Sequence, residues 1–157
     1  MLITTGKKPD LLSRLVARAL FLCIPGSCLE GRGKRTLSSL VKKAGKRHFA
    51  RIASINKKEG GASEISFISL DGNGNWRRLT QRILISYAVA CKERGEWRKN
   101  QSCSLRVSGA KRAALMELLA PLQSDAGCES RITAGAKSIT LKLCKTDLLI
   151  LGVSYEG

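Results

Sequence analysis

The sequence contains few of the side chains that stack on nucleobases or carry out catalysis. Aromatic residues make up 4% of the 157 residues, too few for a sheet that binds RNA bases through interleaved rings. His48 is the single histidine and so the one imidazole that could serve as the base of a hydrolytic triad. The carboxylates are scattered, with no pair spaced for shared acid–base catalysis. We therefore predict that the chain is not an enzyme and needs no cofactor or small-molecule substrate.

The cysteine pattern and the apolar runs exclude two further classes. The six cysteines form no CxxC pair, so a zinc site is not expected. Cys23 and Cys144 stand in apolar contexts, as free buried cysteines of a reducing compartment do. Arg14 and Arg18 interrupt the stretch from Leu11 to Cys28, unlike a secretory signal, and no run approaches the ~18 apolar residues of a membrane span. We predict a cytoplasmic protein with no metal and no membrane partner.

Acidic residues are also scarce, and the resulting positive charge is uneven. Lys and Arg number 28 against 12 Asp and Glu, a formal net charge of +16. Residues 1–60 hold 14 of these cations and 3 acids, whereas residues 61–157 hold 14 and 9. Such an excess favours a polyanionic partner, a nucleic acid, an anionic membrane face or an acidic protein, centred on the first third of the chain.

Hydrophobic periodicity predicts helices that alternate with strands, which indicates an α/β or α+β fold. Helices are predicted at Asp10–Leu22, with Pro9 in the first turn, at Thr36–Ala44, with Gly45 as C-terminal cap, and at Ala110–Leu122. His48 is expected at the edge of the following strand, and Trp76, Tyr87 and Trp97 are expected in the core or half-buried. Strands are predicted at Leu2–Thr5, Ser27–Glu30, Phe49–Ile55, Glu64–Leu70, Trp76–Val89, Ser104–Val107, Glu129–Thr133, Ile139–Cys144 and Leu148–Tyr155. The second part of this order faintly echoes the first.

Two basic loops connect a strand to a helix. The first junction is Thr4–Pro9, with hydroxyls, Gly6 and the cations Lys7 and Lys8. The second junction is Gly31–Thr36, which fails the P-loop pattern because Cys28 stands where that pattern needs glycine.

The second junction still has the composition of a phosphate site. It has Gly31 and Gly33 for close backbone approach, and the cations Arg32, Lys34 and Arg35 before a capped helix.

We expect the two junctions to form one anion-binding surface. If their strands are parallel neighbours, both junctions lie at the same edge of the sheet. The candidate RNA-binding residues are Thr5, Lys7, Lys8, Arg14, Arg32, Gly33, Lys34 and Arg35. Arg18 and the cations Lys42, Lys43, Lys46 and Arg47 could extend the surface.

The same two junctions resemble those of Brix-domain proteins. Met1-Leu-Ile-Thr-Thr-Gly-Lys-Lys-Pro9 is similar to the opening strand of that family, which ends in a Thr-Thr-Ser-Arg-Lys-Pro-like motif. The Ile24-Pro25-Gly26 step and Gly31-Arg32-Gly33-Lys34 before Thr36-Leu37-Ser38-Ser39-Leu40 are similar to later parts of the motif, including its Asn-Arg-Gly-like loop. The match covers about residues 1–45. Gly6, Lys7 and Gly31 stand where the family has Ser, Arg and Asn, and Lys lacks the bidentate phosphate fork of Arg.

The resemblance implies a function and an architecture. The family is implicated in ribosomal RNA processing and ribosome assembly, and the short length resembles its stand-alone archaeal members. It implies one domain over residues 1–157, with two similar halves at about 1–91 and 102–157. Each half would have a mixed sheet with helices, similar to the anticodon-binding domain of class II aminoacyl-tRNA synthetases. It also implies RNA contacts at Lys7, Lys8, Arg32 and Gly33.

The leading hypothesis is an RNA-binding ribosome assembly factor that holds ribosomal RNA or a pre-ribosomal particle through Lys/Arg–phosphate contacts, with other assembly proteins as further partners. Two alternatives stay open. One is a tRNA- or DNA-binding module of anticodon-binding type, and the other is a basic protein-interaction scaffold.

Overall fold

The computed structural model describes residues 1–91, 103–119, 128–143 and 146–156. The predicted helix end beyond residue 119, Trp97, Cys144 and residue 102 lie outside these ranges. The helices are α1 (Leu11–Cys23), α2 (Leu37–Lys46) and α3 (Arg112–Leu119). The strands are β1 (Leu2–Thr5), β2 (Cys28–Glu30), β3 (Arg51–Lys57), β4 (Ser63–Leu70), β5 (Trp76–Ala90), β6 (Cys103–Ser108), β7 (Cys128–Ala134), β8 (Ser138–Leu143) and β9 (Thr146–Glu156).

The nine strands of the described residues form one mixed sheet, in the order β2-β1-β3-β4-β5-β9-β8-β7-β6. β1 pairs in parallel with β2 and β3, and the strands from β3 to β5 pair antiparallel. In the C-terminal half β6 pairs in parallel with β7, and β7 to β9 pair antiparallel. The halves meet where β5 and β9 pair antiparallel. This mixed arrangement of helices and strands confirms the predicted α/β (α+β) class.

The core lies on both faces of this sheet because adjacent residues of a strand point to opposite sides. Ile3 belongs to the larger cluster, which includes α1, α3 and Phe67; we call this side the first face. Leu2 belongs to a smaller cluster with Ile52 and α2, on the second face. Helices α1 and α2 therefore cover opposite faces.

The start of α1 differs in detail from the prediction. Asp10 is the N-cap, and its carboxylate accepts a hydrogen bond from Ser13 N at 2.8 Å. Pro9 therefore precedes the helix rather than occupying its first turn, because the capping residue Asp10 is itself extended, with a ψ of −178°, and the first helical residue is Leu11. No helix among the described residues is long and apolar enough to cross a membrane.

The end of α2 also differs from the prediction, since Gly45 lies inside the helix and does not cap it. The chain turns at His48, which has a φ of 55°. His48 N donates to Gly45 O at 2.9 Å and Phe49 N donates to Ala44 O at 3.0 Å, the pair of bonds of a Schellman motif. Phe49 then packs against the second-face cluster. His48 thus belongs to this turn and not to a strand edge.

Candidate nucleic-acid interface

The two basic junctions leave the same edge of the sheet, as the sequence predicted for parallel neighbours. β1 and β2 run in parallel with Leu2 opposite Cys28 and Thr4 opposite Glu30. β3 also runs parallel to β1, so the carboxyl ends of all three strands meet at this edge. The topology therefore brings the first junction beside the second.

The first junction exposes its cations above a fixed backbone. Gly6 N donates to Ile55 O at 2.8 Å, which ties the loop to β3. Lys7 and Lys8 are exposed. Thr5 is only 7% exposed, so its side chain is part of the core and not of the basic surface.

Asp10 places one negative charge at the end of the first junction. Burial of the carboxyl raises its pKa, but the hydrogen bonds from Ser13 outweigh this, and the pKa lies below its ordinary value. Asp10 therefore stays ionised and caps α1, whose first turn contains no other acidic residue.

The second junction is a tight turn followed by a capped helix. Arg35 N donates to Arg32 O at 2.9 Å, and Gly33 has a φ of 52°. The backbone of Lys34 has no such positive φ, which is the pattern of a type II′ turn with glycine at its first central position. Thr36 Oγ1 accepts from Ser39 N at 3.2 Å and starts α2. The turn presents Arg32, Lys34 and Arg35 at the helix N-terminus, where anions are favoured.

Glu30 organises the cations around this turn. Its carboxylate accepts a hydrogen bond from Lys43 Nζ at 2.7 Å and pairs with Arg35. The hydrogen bond from Lys43, aided by the charge of Arg35, holds the pKa of Glu30 below its ordinary value, although burial opposes this. Arg35 and Lys43 are thus partly neutralised, whereas the described residues place no carboxylate within ion-pair distance of Lys34.

The predicted extension of the surface divides into two parts. Arg14 and Arg18 lie on α1, which packs on the first face, whereas α2 packs on the second. The cations of α1 and those of α2 therefore lie on opposite sides of the sheet and do not form one continuous surface. A shallow groove along α2 combines its cap and hydroxyls with cations, namely Thr36, Ser38, Ser39, Lys42, Lys43 and Lys46.

Two aromatic residues that we expected in the core or half-buried are on the surface. Trp76 is 45% exposed and Tyr87 is 55% exposed. Tyr87 packs over Gly152, where no side chain would fit beneath the ring. Among the described residues, no group of three His, Cys, Asp or Glu side chains could hold a metal ion.

The sequence reasoning missed a polar cleft on the second face beside Arg32. Arg78 and Arg82 of β5 lie across it from Arg32, and Ser54 and Glu64 lie in its floor. A signal was present, because polar residues alternate with apolar ones along β3 and β4. This alternation indicates that one side of these strands is polar.

Solved structures with this fold include two archaeal proteins. A probable ribosomal biogenesis protein from Aeropyrum pernix K1 aligns over 98% of this chain and 94% of its own, with 18% identity and a TM-score of 0.72. Mil, an archaeal Imp4-like protein, aligns over 100% of both chains, with 21% identity and a TM-score of 0.63. No family model matches the sequence, and no curated protein matches it.

These likenesses show the fold of the whole chain. The resemblance to Brix-domain proteins rests on residues 1–45, whereas the structural match extends through both halves of the sheet. The chain therefore has the fold of an archaeal Imp4-like protein.

Proposed function

We propose that this protein is a non-catalytic RNA-binding factor of ribosome assembly. It acts in ribosomal RNA processing and pre-ribosome assembly by holding RNA phosphates with Lys and Arg side chains. The observation that carries the proposal is the meeting of two basic junctions at one edge of the sheet, where β1, β2 and β3 end together.

Three independent features support this function. The net charge of +16 favours a polyanion as partner. The exposed lysines of the first junction and the turn of the second junction offer cations and backbone N–H groups side by side. The fold is shared with a protein described as a probable ribosomal biogenesis protein.

The test is a titration of structured ribosomal RNA fragments at several salt concentrations. Phosphate contacts release counterions, so the logarithm of the affinity should fall steeply and linearly with the logarithm of the salt concentration. Changing Lys7, Lys8, Arg32 and Lys34 together to Ala should abolish binding at moderate salt and leave thermal stability nearly unchanged. An affinity that barely changes between low and moderate salt would contradict phosphate contacts.

Competition experiments separate the alternatives. Ribosomal RNA, tRNA and duplex DNA compete for one labelled probe, and a preference for tRNA or DNA would favour a module of anticodon-binding type. Partners that stay bound in a pull-down after nuclease treatment would instead favour a protein-interaction scaffold.

A further inference from the structure

A polar cleft of about 300 Å³ opens on the second face beside the basic edge. One wall comes from Arg32 of the second junction and Leu37 at the start of α2. The opposite wall comes from β5, through Arg78, Leu79 and Arg82. A cleft of this size is at the small end of ligand pockets and is too narrow for a duplex.

The floor of the cleft consists of paired polar side chains from two strands. Ser54 lies opposite Ser66, and Asn56 lies opposite Glu64. Ser54 and Glu64 are buried, at 8% and 7% exposure. Burial of polar groups on an uncovered part of the sheet costs free energy unless they gain partners.

The hydrogen bonds within this floor are long. Asn56 Nδ2 donates to Ser66 Oγ and to the carbonyl oxygen of Ser54, each at 3.4 Å. The Ser54 hydroxyl donates to Asn56 Oδ1 at 3.3 Å, and the Ser66 hydroxyl donates to the Ser54 carbonyl at 3.4 Å. Strong bonds of these types are 2.5–3.2 Å long, so the floor can exchange its internal bonds for better ones to a ligand.

The positive charge around the cleft favours an anionic ligand. Among the described residues that line it, Glu64 is the one acidic side chain, and it already faces Lys58 at 3.0 Å and Arg82 at 3.5 Å. Within the described ranges no carboxylate pairs with Arg32 or Arg78. Guanidinium groups bind phosphate in bidentate geometry and also stack on the planes of nucleobases.

The cleft is continuous with both junctions. Arg32 belongs to the second junction and to the cleft wall. On the other side, a Cβ added to Gly6 would lie 3.3 Å from Asn56 Oδ1, so the first junction borders the cleft floor. An RNA strand that crosses the basic edge therefore passes the mouth of the cleft.

We propose that this cleft takes one unpaired nucleotide of the bound RNA. Arg32 and Arg78 hold its phosphate, and Asn56 with the two serines hydrogen-bonds the edge of its base. The carboxamide of Asn56 offers a donor and an acceptor side by side, the pair that matches an adenine edge. This inference rests on the proposed function and adds that the protein selects RNA with an extruded base.

The experiment uses two RNA duplexes of the same sequence, one of which carries a single bulged adenosine. Fluorescence anisotropy at fixed salt should show that the full-length protein binds the bulged duplex about 10-fold more tightly, since stacking and edge contacts add to the phosphate contacts. Replacing the adenosine by uridine should reduce this preference.

Two variants on one strand form a matched pair. Arg78→Ala removes a cleft arginine, and Arg77→Ala removes its neighbour, which points to the other face because residues of a strand alternate. We expect Arg78→Ala to lose most of the preference for the bulge and Arg77→Ala to keep it. Asn56→Ala should also lose the preference, with an unchanged affinity for the plain duplex. Melting temperatures confirm that the three variants fold.

The outcomes distinguish this inference from the proposed function. Equal binding of both duplexes by the unaltered protein would overturn the cleft as a nucleotide site and leave RNA binding intact. Equal losses of affinity for Arg77→Ala and Arg78→Ala on both duplexes would show that these arginines act only through general electrostatic attraction. This result would also overturn the cleft as a nucleotide site. Failure to bind either duplex at low salt would overturn both proposals.

Discussion

The two halves of the sheet repeat one order of elements, but among the described residues the first half carries an insertion that the second half lacks. β1, β3, β4 and β5 correspond in order and direction to β6, β7, β8 and β9. Between β1 and β3 the chain also forms β2 and α2, whereas the described residues between β6 and β7 form α3. The insertion contains the second junction and one wall of the cleft. The repeat thus supplies the framework, and the insertion supplies most of the candidate site.

In each half, a backbone hydrogen bond links the loop after the half's first strand to the neighbouring parallel strand; we call this bond the link. Gly6 N donates to Ile55 O at 2.8 Å, and Lys111 N donates to Ala134 O at 3.0 Å. The N-terminal link is followed by Lys7 and Lys8, and the C-terminal one includes Lys111 and Arg112. Each link is thus accompanied by two adjacent cations, which allows direct comparison of the two positions.

The largest expected effect is on stability, from a glycine in the C-terminal link. Gly109 has a φ of 96°, and an added Cβ would collide with the carbonyl group of Ala134. Gly109→Ala should lower the free energy of unfolding by about 3 kcal/mol, from combined strain and overpacking. Gly6→Ala should cost less than about 1 kcal/mol, because the closest contact of the added methyl is the side-chain oxygen of Asn56 at 3.3 Å. Urea denaturation measures both, and equal losses would contradict the difference between the links.

The second prediction compares the lysines of the first junction with Lys111 and Arg112 at the start of α3. Lys7→Ala with Lys8→Ala should weaken binding of ribosomal RNA fragments about 10- to 100-fold and lower the salt slope by about 2, or about 1 per lost phosphate contact. Lys111→Ala with Arg112→Ala removes the same charge from the other half and should change affinity less than about 2-fold.

Both double variants remove two positive charges, so the comparison separates the effect of position from the effect of net charge. Equal losses in the two double variants would show that net charge alone governs binding. Lys111 lies 5.7 Å from the ring centroid of Tyr155, so the melting temperature of each variant is measured as a check on folding.

The third prediction concerns Glu30, which neutralises Arg35 and Lys43 beside the second junction. Glu30→Gln should tighten RNA binding by about threefold at low salt and steepen the salt dependence, because both cations become available to phosphate. Asp147→Asn removes a carboxylate that pairs with Lys142 at 2.9 Å in the other half, and it should leave affinity nearly unchanged. A weaker complex with Glu30→Gln would show that the ion pairs serve mainly to hold the turn in place.

The same carboxylate predicts a dependence of stability on pH. Its pKa in the folded protein is below the ordinary 4.5, so ionised Glu30 stabilises the fold above that value. This contribution is lost as the pH falls below 4.5 and through the folded pKa. At neutral pH Glu30→Gln should cost less than about 1 kcal/mol, since the partner cations are largely exposed. In melting curves from pH 7 to pH 3, the difference in melting temperature between Glu30→Gln and the unaltered protein should shrink. A difference that stays constant with pH would contradict a stabilising role of the ion pairs.

The last prediction concerns the end of the inserted helix α2. His48 occupies a positive φ that glycine adopts without strain, so His48→Gly should raise the free energy of unfolding by about 0.5–1 kcal/mol. Gly45 lies inside the helix with open space around it, so Gly45→Ala should also stabilise, by about 0.5–1 kcal/mol. Thermal melting measures both changes. If Gly45→Ala destabilised the protein, the result would support the sequence prediction that Gly45 is the C-terminal cap of α2.

Much of the fold could be predicted from the sequence because periodicity and caps are local signals. The strand Leu2–Thr5 and the Thr36 cap have the predicted positions. The placement of α1 and α2 on opposite faces could not be predicted. Leu2 and Ile3 are both apolar and both fully buried, so their alternation gives no indication of which face each helix covers.

The candidate site was only partly predictable for a similar reason. Each junction is a short continuous stretch of sequence, and its residue types alone suggested a phosphate site. The cleft instead joins Arg32, Ser54 and Arg82 from distant segments, and their proximity depends on strand register. Register is a property of pairing across the sheet, which no single segment specifies.

The pairing of β5 with β9 at the centre of the sheet has a consequence for synthesis of the chain. β5 ends at Ala90 and β9 begins at Thr146, so translation at about 5–20 residues per second leaves β5 without this partner for roughly 3 to 11 seconds. An unpaired strand edge is a template for aggregation, and charged side chains are a common protection. Arg77, Arg78 and Arg82 lie on this strand. Of these three, Arg82 lies within the stretch that β9 later covers, from Arg82 to Ala90, so we expect this arginine to help keep the exposed edge from pairing with another chain.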